Sequence, residues 1–281
     1  MTFAYHKPPT LPEALALVYS NPSKFPVLAG GTDIIVQWKS GIINPSGIID
    51  ISAVDELAVI IEKEDSVEIG ALATHAQIAA NKIVGRHLPV LSDACKSIGA
   101  LQIQNRGTIG GNIMNASPAG DTLPVLAAFD AEILAQDLTG ERWIPVRSFY
   151  TGYRKTAIKS TELLTRIRFP KQRKEENSRF YKIGTRRAQA ISKVVMCVRG
   201  TIDHGGIKEI AIAVGSVAPT VVRMTGTEVL LKGRVINAAL VDNARRSIED
   251  EVHPIDDVRS TADYRRHICG ALLAQFLDEA S

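Results

Sequence analysis

Two glycine-rich segments hold the residues whose types and spacing suit chemistry: Ala29-Gly30-Gly31-Thr32-Asp33 and, much later, Thr108-Ile109-Gly110-Gly111-Asn112. Each adjoins an apolar run, residues 25–28 before the first and Ile113-Met114 after the second. Paired glycines admit positive φ and let backbone N–H groups approach a ligand with no Cβ in the way. A turn of convergent N–H groups is a concavity suited to phosphate. Two such turns suit a ligand with two phosphates, which points to a dinucleotide. Taken singly, each Gly-Gly also reads as a plain tight turn. Neither the G-x-G-x-x-G fingerprint nor the P-loop pattern G-x-x-x-x-G-K-[ST] occurs in the chain.

Other chemistries find little support. Cys95, Cys197 and Cys269 are far apart and make no C-x-x-C, so they read as buried thiols rather than as a disulfide framework or cluster ligands. The six histidines form no H-x-x-x-H pair, which leaves no metal motif. A net charge of +3 without a basic stripe interleaved by aromatics argues against nucleic acid. Arg173-Lys174 and Arg186-Arg187 read as solvated or locally paired clusters. No apolar stretch has the length of a membrane span, and the start lacks a secretory h-region, so cytoplasmic residence is the default expectation.

The glycine segments need elements to position them. With 281 residues, 45% hydrophobic and 22% charged, the chain can fold as two or three globular units. Thr10-Leu11-Pro12-Glu13 has capping-box spacing and opens a helix through about Tyr19. Residues 25–28 then form a strand running into the first glycine segment, followed by a short helix from Ile34 and a strand at 47–52. Strands are expected at 58–62 and 67–72, and helices around 74–82 and 89–98. After the second glycine segment and the loop-forming residues 116–121 come a helix at 123–129 and strands at 131–135, 142–144 and 163–169. Residues 170–178 read as a linker. Three strands follow, at 179–183, 194–203 and 207–214, then helices near 227–231, 237–248 and 261–279.

These residues, in this order, resemble the FAD-binding medium subunit of the molybdenum hydroxylases, the family of xanthine dehydrogenases, aerobic carbon monoxide dehydrogenases and related enzymes that oxidise N-heterocycles and aldehydes. The resemblance spans essentially the whole chain. It rests on Val27-Leu-Ala-Gly-Gly-Thr-Asp33, Ile69-Gly-Ala-Leu-Ala-Thr-His75, Gln104-Asn-Arg-Gly-Thr-Ile-Gly-Gly-Asn112 and Ala116-Ser-Pro-Ala-Gly-Asp121. The start Phe3-Ala-Tyr-His-Lys-Pro8, Arg186-Arg187 with Ile191-Ser192, and Tyr264-Arg265-Arg266-His267 complete it.

The resemblance implies an α+β fold: a two-subdomain FAD-binding fold of the vanillyl-alcohol-oxidase type, at 1–55 and 56–170, then an α+β domain at 176–281. That last domain would carry a three-stranded antiparallel sheet with helices and close over the isoalloxazine. It implies non-covalent FAD with its pyrophosphate on the main chain of Val27, Leu28, Ala29, Gly30, Gly31, Thr32 and Asp33 and of Gly107, Thr108, Ile109, Gly110 and Gly111. Asn112 would offer its amide in either sense. Ser117 and Asp121 match positions lining the FAD site, Asp121 as acceptor for a ribityl or ribose hydroxyl or, alternatively, as a helix N-cap. Leu163, Tyr181 and Lys182 match the isoalloxazine side, with Ile191 near the ring. Lys182 would stabilise negative charge on reduced flavin or serve as an ordinary edge-strand lysine, and Tyr181 is equally readable as core.

Departures from the family pattern matter too. The four-cysteine insertion of the 4-hydroxybenzoyl-CoA reductase type has no counterpart among three scattered cysteines. Molybdopterin and [2Fe–2S] domains are absent from the chain, so the resemblance places them on a large and a small partner subunit, in a dimer of heterotrimers. Electrons would pass from the [2Fe–2S] clusters to FAD and on to NAD⁺ or another acceptor. No side chain on this chain needs to act as general base or nucleophile. The Ala-Gly-Gly-Thr-Asp-Ile form and residues 86–91 lean toward the xanthine-dehydrogenase type. A standalone flavin oxidase or reductase of the related fold is the alternative, and it would need acid/base residues of its own over the flavin.

Overall fold

The first unit builds a small parallel sheet whose carboxyl ends face one way. In this computed structural model, residues 3–186 and 188–280 are described. Met1, Thr2, Arg187 and Ser281 lie outside the described residues, and with them one arginine of the 186–187 pair. Strands β1 (Ala4–His6), β2 (Val27–Leu28) and β3 (Gly47–Asp50) are ordered β1-β3-β2, with α1 (Leu11–Ser20) and α2 (Ile34–Lys39) between them. The Thr10 hydroxyl accepts from the N–H of Glu13, and Pro12 sits in the first turn, where a missing N–H costs nothing. Helix α1 buries Ala14, Leu15 and Val18 against Phe25, Ile49 and Ile51. Ligand sites in parallel sheets form beyond the carboxyl ends of the strands, and the first glycine segment leaves β2 there.

The second unit is a five-stranded antiparallel sheet, β4 (Ile60–Glu62), β5 (Ser66–Gly70), β6 (Glu132–Asp137), β7 (Gly140–Pro145) and β10 (Leu163–Pro170), ordered β4-β5-β10-β6-β7. Between β5 and β6 run α3 (His75–Ala80), α4 (Lys82–His87), α5 (Pro89–Ser97), α6 (Leu101–Arg106), α7 (Ile109–Asn115) and α8 (Leu123–Ala128). The helix expected at 74–82 is α3, and α4, directly after it, was not expected. Asn81 ends α3 and caps α4, its side chain accepting from the N–H groups of Ile83 and Val84. Helix α9 (Val146–Phe149) and the hairpin β8 (Tyr150–Gly152) and β9 (Lys155–Thr156) precede β10.

Only residues 171–175 separate β10 from the third unit, so the linker is shorter than 170–178. Its sheet has four strands, β11 (Glu176–Ile183), β12 (Val194–Asp203), β13 (Gly206–Gly215) and β14 (Val222–Arg223), in that order. The two-residue β14 joins the three expected strands through Ala213 and Val214. Helices α10 (Thr225–Leu231), α11 (Ala238–Glu251) and α12 (Ala262–Ala280) pack on one face through Ile248, Cys269, Leu273 and Phe276. Helix α8 packs on the other. All six of its residues are buried, and its core also contains Cys197 of β12 and Ala213 of β13. A helix apolar all round must be enclosed on every side, and this one lies between the four-stranded sheet and the apolar core of the second unit.

All three cysteines are free and buried, as their composition suggested. Among the described residues, no helix is long and apolar enough to cross a membrane. Because α8 lies between the third unit's sheet and the second unit's core, Leu126→Ala should lower the unfolding free energy by about 2–5 kcal/mol, the range for a large-to-small change at a fully buried site. Urea unfolding measures it. A loss well under about 1 kcal/mol would show that α8 is not enclosed as described.

Candidate functional site

The two segments hold four glycines, and each is glycine for a different reason. Gly31 has φ +78°, the left-handed region that disfavours a side chain. At Gly30 an added Cβ would stand 1.9 Å from the carbonyl oxygen of Arg106, so main chain packs directly on main chain. At Gly110 the obstacle is Ala71, 2.7 Å away. Gly111 has ordinary φ, and an added Cβ would meet only the Thr108 hydroxyl, at 3.0 Å.

The first segment leaves its donors free. Among the described residues, no N–H of Ala29, Gly30, Gly31, Thr32 or Asp33 donates to a protein acceptor. Val27 and Leu28 instead belong to the parallel ladder with β3, where the Leu28 carbonyl accepts from Ile51. Five consecutive unpaired donors around a left-handed glycine form an anion-binding surface awaiting acceptors.

The second segment is built differently, which corrects the reading of two equivalent loops. Thr108 is the N-cap of α7, and the glycine pair lies in that helix's first turn. The N–H of Ile109 donates to Ala73, that of Gly110 to Ala71, and that of Gly111 to the Thr108 hydroxyl. Those donors are occupied by the protein itself. Among the described residues the N–H of Thr108 donates to no protein acceptor, so the segment offers that donor, the open Cα surface of Gly111 and the amide of Asn112. The Asn112 Oδ1 accepts from the Thr122 hydroxyl at 2.6 Å, an arrangement that leaves the amide's two N–H donors available.

These walls bound a groove of three chambers. The middle one, about 590 Å³, is lined by the first segment, His75, Gly107, Gly111, Asn112 and Arg154. A smaller chamber of about 200 Å³ lies beyond Ala29, Gly30 and Thr108, which line both, and runs to Ser52, Thr74 and Arg106. A third of about 520 Å³ meets the middle one at Arg154 and is lined by Ser117, Ile191, Ser192, Arg259 and Arg265. A groove this long, with free N–H donors at the wall shared by two chambers, fits an extended dinucleotide such as FAD.

Residues expected on the isoalloxazine side divide between places. Lys182 reaches from β11 to the Asp121 carboxylate at 2.7 Å and to the Ser97 carbonyl at 2.7 Å. Tyr181, its neighbour, points to the opposite face of the sheet, as strand alternation requires, and packs in the core beneath α12. Burial raises its phenol to about 12, and its buried hydroxyl has no partner. Leu163 is 6% exposed, in the core with Ala14, Leu15 and Leu72, and lines no chamber.

Asp121 is neither an N-cap nor open to the groove. Thr122 precedes α8 without a side-chain cap, while the Asp121 oxygens accept from Ser192 Oγ and Lys182 Nζ. Burial, the largest influence, raises this carboxyl, and the Lys182 ammonium and the Ser192 hydroxyl pull the other way. The tie continues into the third chamber. Ser216 Oγ donates to the Ser192 carbonyl, and Arg265 donates to the Ser216 and Lys193 carbonyls and to Asp257. Ser117 borders this chamber rather than the middle one, its hydroxyl accepting from the N–H of Ala119. Ile191 is 55% exposed on the same rim.

Of the groove residues to which the sequence reading gave no site role, two stand out. His75 follows Thr74, whose capping box with Gln77 was the available signal. Arg154 tips the β8–β9 hairpin at φ +52°, bonds Asn115 Oδ1 at 2.9 Å and stands where two chambers meet. A strained non-glycine residue at a ligand groove is a recurring mark of function, and a lone arginine in a loop carries no such mark in sequence.

Comparison with known proteins agrees with this geometry. The family model for the FAD binding domain in molybdopterin dehydrogenase matches residues 1–172, and that for the CO dehydrogenase flavoprotein C-terminal domain matches 179–280. The chain is 32% identical over 279 residues to the xanthine dehydrogenase FAD-binding subunit of Escherichia coli O157:H7, covering 99% of this chain and 95% of that one. It is 31% identical over 282 residues to the carbon monoxide dehydrogenase medium chain of Hydrogenophaga pseudoflava, covering 99% and 96%. A solved structure of carbon monoxide dehydrogenase from that organism, lacking the Mo-pyranopterin moiety, superposes with a TM-score of 0.95 at 29% identity, covering 100% of this chain and 97% of that one.

Burial of His75 has a thermodynamic consequence. Desolvation lowers its imidazole from 6.5 to about 4. The unfolded chain therefore binds the proton more readily, and the stability present above pH 6.5 is lost as pH falls toward 4. The loss should reach about 3 kcal/mol, and His75→Gln should remove it. Urea unfolding across that pH range tests this; identical pH profiles for the two proteins would reject it.

Proposed function

This chain belongs to the FAD-binding subunits of the molybdopterin dehydrogenases, and from that premise we propose that it holds FAD non-covalently along the three-chambered groove and relays electrons within a multi-subunit molybdenum hydroxylase. The observation that carries the reading is the run of five unpaired N–H donors from Ala29 to Asp33. They would hold the pyrophosphate, with Gly111 leaving room for it and Asn112 donating beside it. Ala29, Gly30 and Thr108 line two chambers, which suits a pyrophosphate linking two halves of a ligand. The units 1–55 and 56–170 supply these walls, and 176–281 closes the third chamber through Ile191, Ser192 and Ser216.

When bound, FAD supplies the redox chemistry; the protein supplies binding, orientation and electrostatics. Lys182 brings a cation to the junction of the second and third units, where its charge balances Asp121. Arg154 adds a second cation where the middle and third chambers meet. An acceptor such as NAD⁺ would meet the isoalloxazine at the rim of the third chamber, where Arg259 supplies a further cation. No residue of the groove is required to take a proton from a substrate. Hydroxylation belongs to a large molybdopterin subunit and electron delivery to a small [2Fe–2S] subunit, assembled as a dimer of heterotrimers, with a xanthine-dehydrogenase-type enzyme as the nearest pattern.

Gly111→Val tests the cofactor assignment without straining the backbone. It should weaken FAD binding by at least about 100-fold, about 2.7 kcal/mol, while far-UV circular dichroism stays unchanged. Full flavin retention in a folded Gly111→Val protein would remove the assignment. Division of labour has its own test. The isolated chain should bind FAD yet oxidise no purine, aldehyde or N-heterocycle, and adding the molybdenum and [2Fe–2S] subunits should restore substrate-dependent bleaching of the flavin band in rapid mixing. Multiple turnover by the metal-free isolated chain would instead establish a standalone flavoenzyme.

A further inference from the structure

His75 is 2% exposed, yet it borders the middle chamber. Its main chain is held by a bond from its N–H to the Gly107 carbonyl, beside the bridge between Thr74 and Thr108. One edge of the ring faces inward, with Nδ1 3.7 Å from Cys95 Sγ. The Cδ2 edge lies against Gly107, where an added Cβ would stand 3.1 Å from it. Nε2 has no partner among the described residues. It is also not sealed, because the enclosed side-chain N and O atoms without partners are Tyr150 Oη, Tyr181 Oη and Arg265 Nε.

A neutral imidazole carries one donor and one acceptor, and its partner on one nitrogen decides which the other becomes. Burial keeps this ring neutral near pH 7. Burial, with the Asp121 carboxylate in support, pushes the Cys95 thiol far up, so it stays S–H. The thiol has a proton to give, and sulfur is a weak acceptor. Donation from Cys95 to Nδ1 therefore leaves the ring proton on Nε2, at the groove.

We propose that His75 is a neutral hydrogen-bond donor to an oxygen of the bound flavin dinucleotide through Nε2–H, and that Cys95 is the positioning residue that selects this tautomer. The inference rests on the FAD reading above and adds a residue to it. A neutral donor keeps the same bond across the physiological pH range and adds no charge to the groove. Cys95, otherwise a small core residue, thereby acts on the cofactor through a second side chain.

The test uses the full chain labelled with ¹⁵N-histidine, with and without FAD. Ring ¹⁵N shifts should show His75 as one tautomer protonated at Nε2, without titration from about pH 5.5 to 8. Cys95→Ser, which keeps an X–H donor, should retain the tautomer and the FAD affinity. Cys95→Ala should give mixed tautomers and weaken FAD by about threefold or more, and His75→Phe by about tenfold, equivalent to 1.4 kcal/mol. His75→Gln, with an amide donor, should recover part of that loss. A proton found on Nδ1 in the parent protein overturns the inference even when a variant fails to fold. So does an unchanged tautomer in Cys95→Ala, or FAD affinity in folded His75→Phe equal to that of the parent. Failure of the parent chain to bind FAD at all would reject the FAD reading itself, a distinct result.

Discussion

Main chain meets main chain at Gly30, whose Cα packs against the carbonyl of Arg106, and the groove depends on that contact. No side chain larger than hydrogen fits there. The contact joins the loop after β2 to the turn after α6, two segments from different sheets. With its path fixed from outside, the loop cannot turn its N–H groups inward to find protein acceptors. Donors held in place without partners cost little reorganisation when a ligand supplies the acceptors. The same turn holds Gly107 against His75 and Thr108 against Thr74, so one close approach sets several walls of the groove.

A second, electrostatic constraint holds the third unit in place. Asp121 and Lys182 approach each other across the junction of two units with side-chain exposures of only 10% and 13%. Removing one member of such a pair strands the other in a poorly solvated place, at several kcal/mol. The chain of bonds from Arg265 through Ser216 and Ser192 to Asp121 ties α12 and the ends of β12 and β13 into the same arrangement. The third unit is therefore seated by polar groups at the groove and by apolar packing behind it.

Local rules read well where the determinant was local. The Thr10 cap, the placement of the first glycine segment after a strand and the long strands of the third unit follow from short-range pattern. The second glycine segment was misjudged because the N–H groups of Ile109 and Gly110 are taken by Ala73 and Ala71, more than thirty positions away. Family likeness grouped Tyr181 with Lys182, but adjacent side chains of a strand face opposite sides, so the Tyr181 ring packs in the core while Lys182 reaches Asp121. Asp121 was recognised as important without its partners, since Lys182 and Ser192 are remote in sequence. Arg154 and His75, the latter quoted only within a motif, were given no site role because only three-dimensional proximity distinguishes them from other surface arginines and buried histidines.

Helix α8 has an implication for how the chain is made. Its last residue, Ala128, leaves the ribosome well before Gly215 completes β13, the strand that helps to cover it. Roughly 90 residues separate the two, several seconds of synthesis at about 5–20 residues per second. Throughout that interval one flank of an entirely apolar helix has no permanent cover. The nascent chain therefore presents an adhesive surface at mid-translation, and the first two units are complete in sequence before they are complete as a folded body.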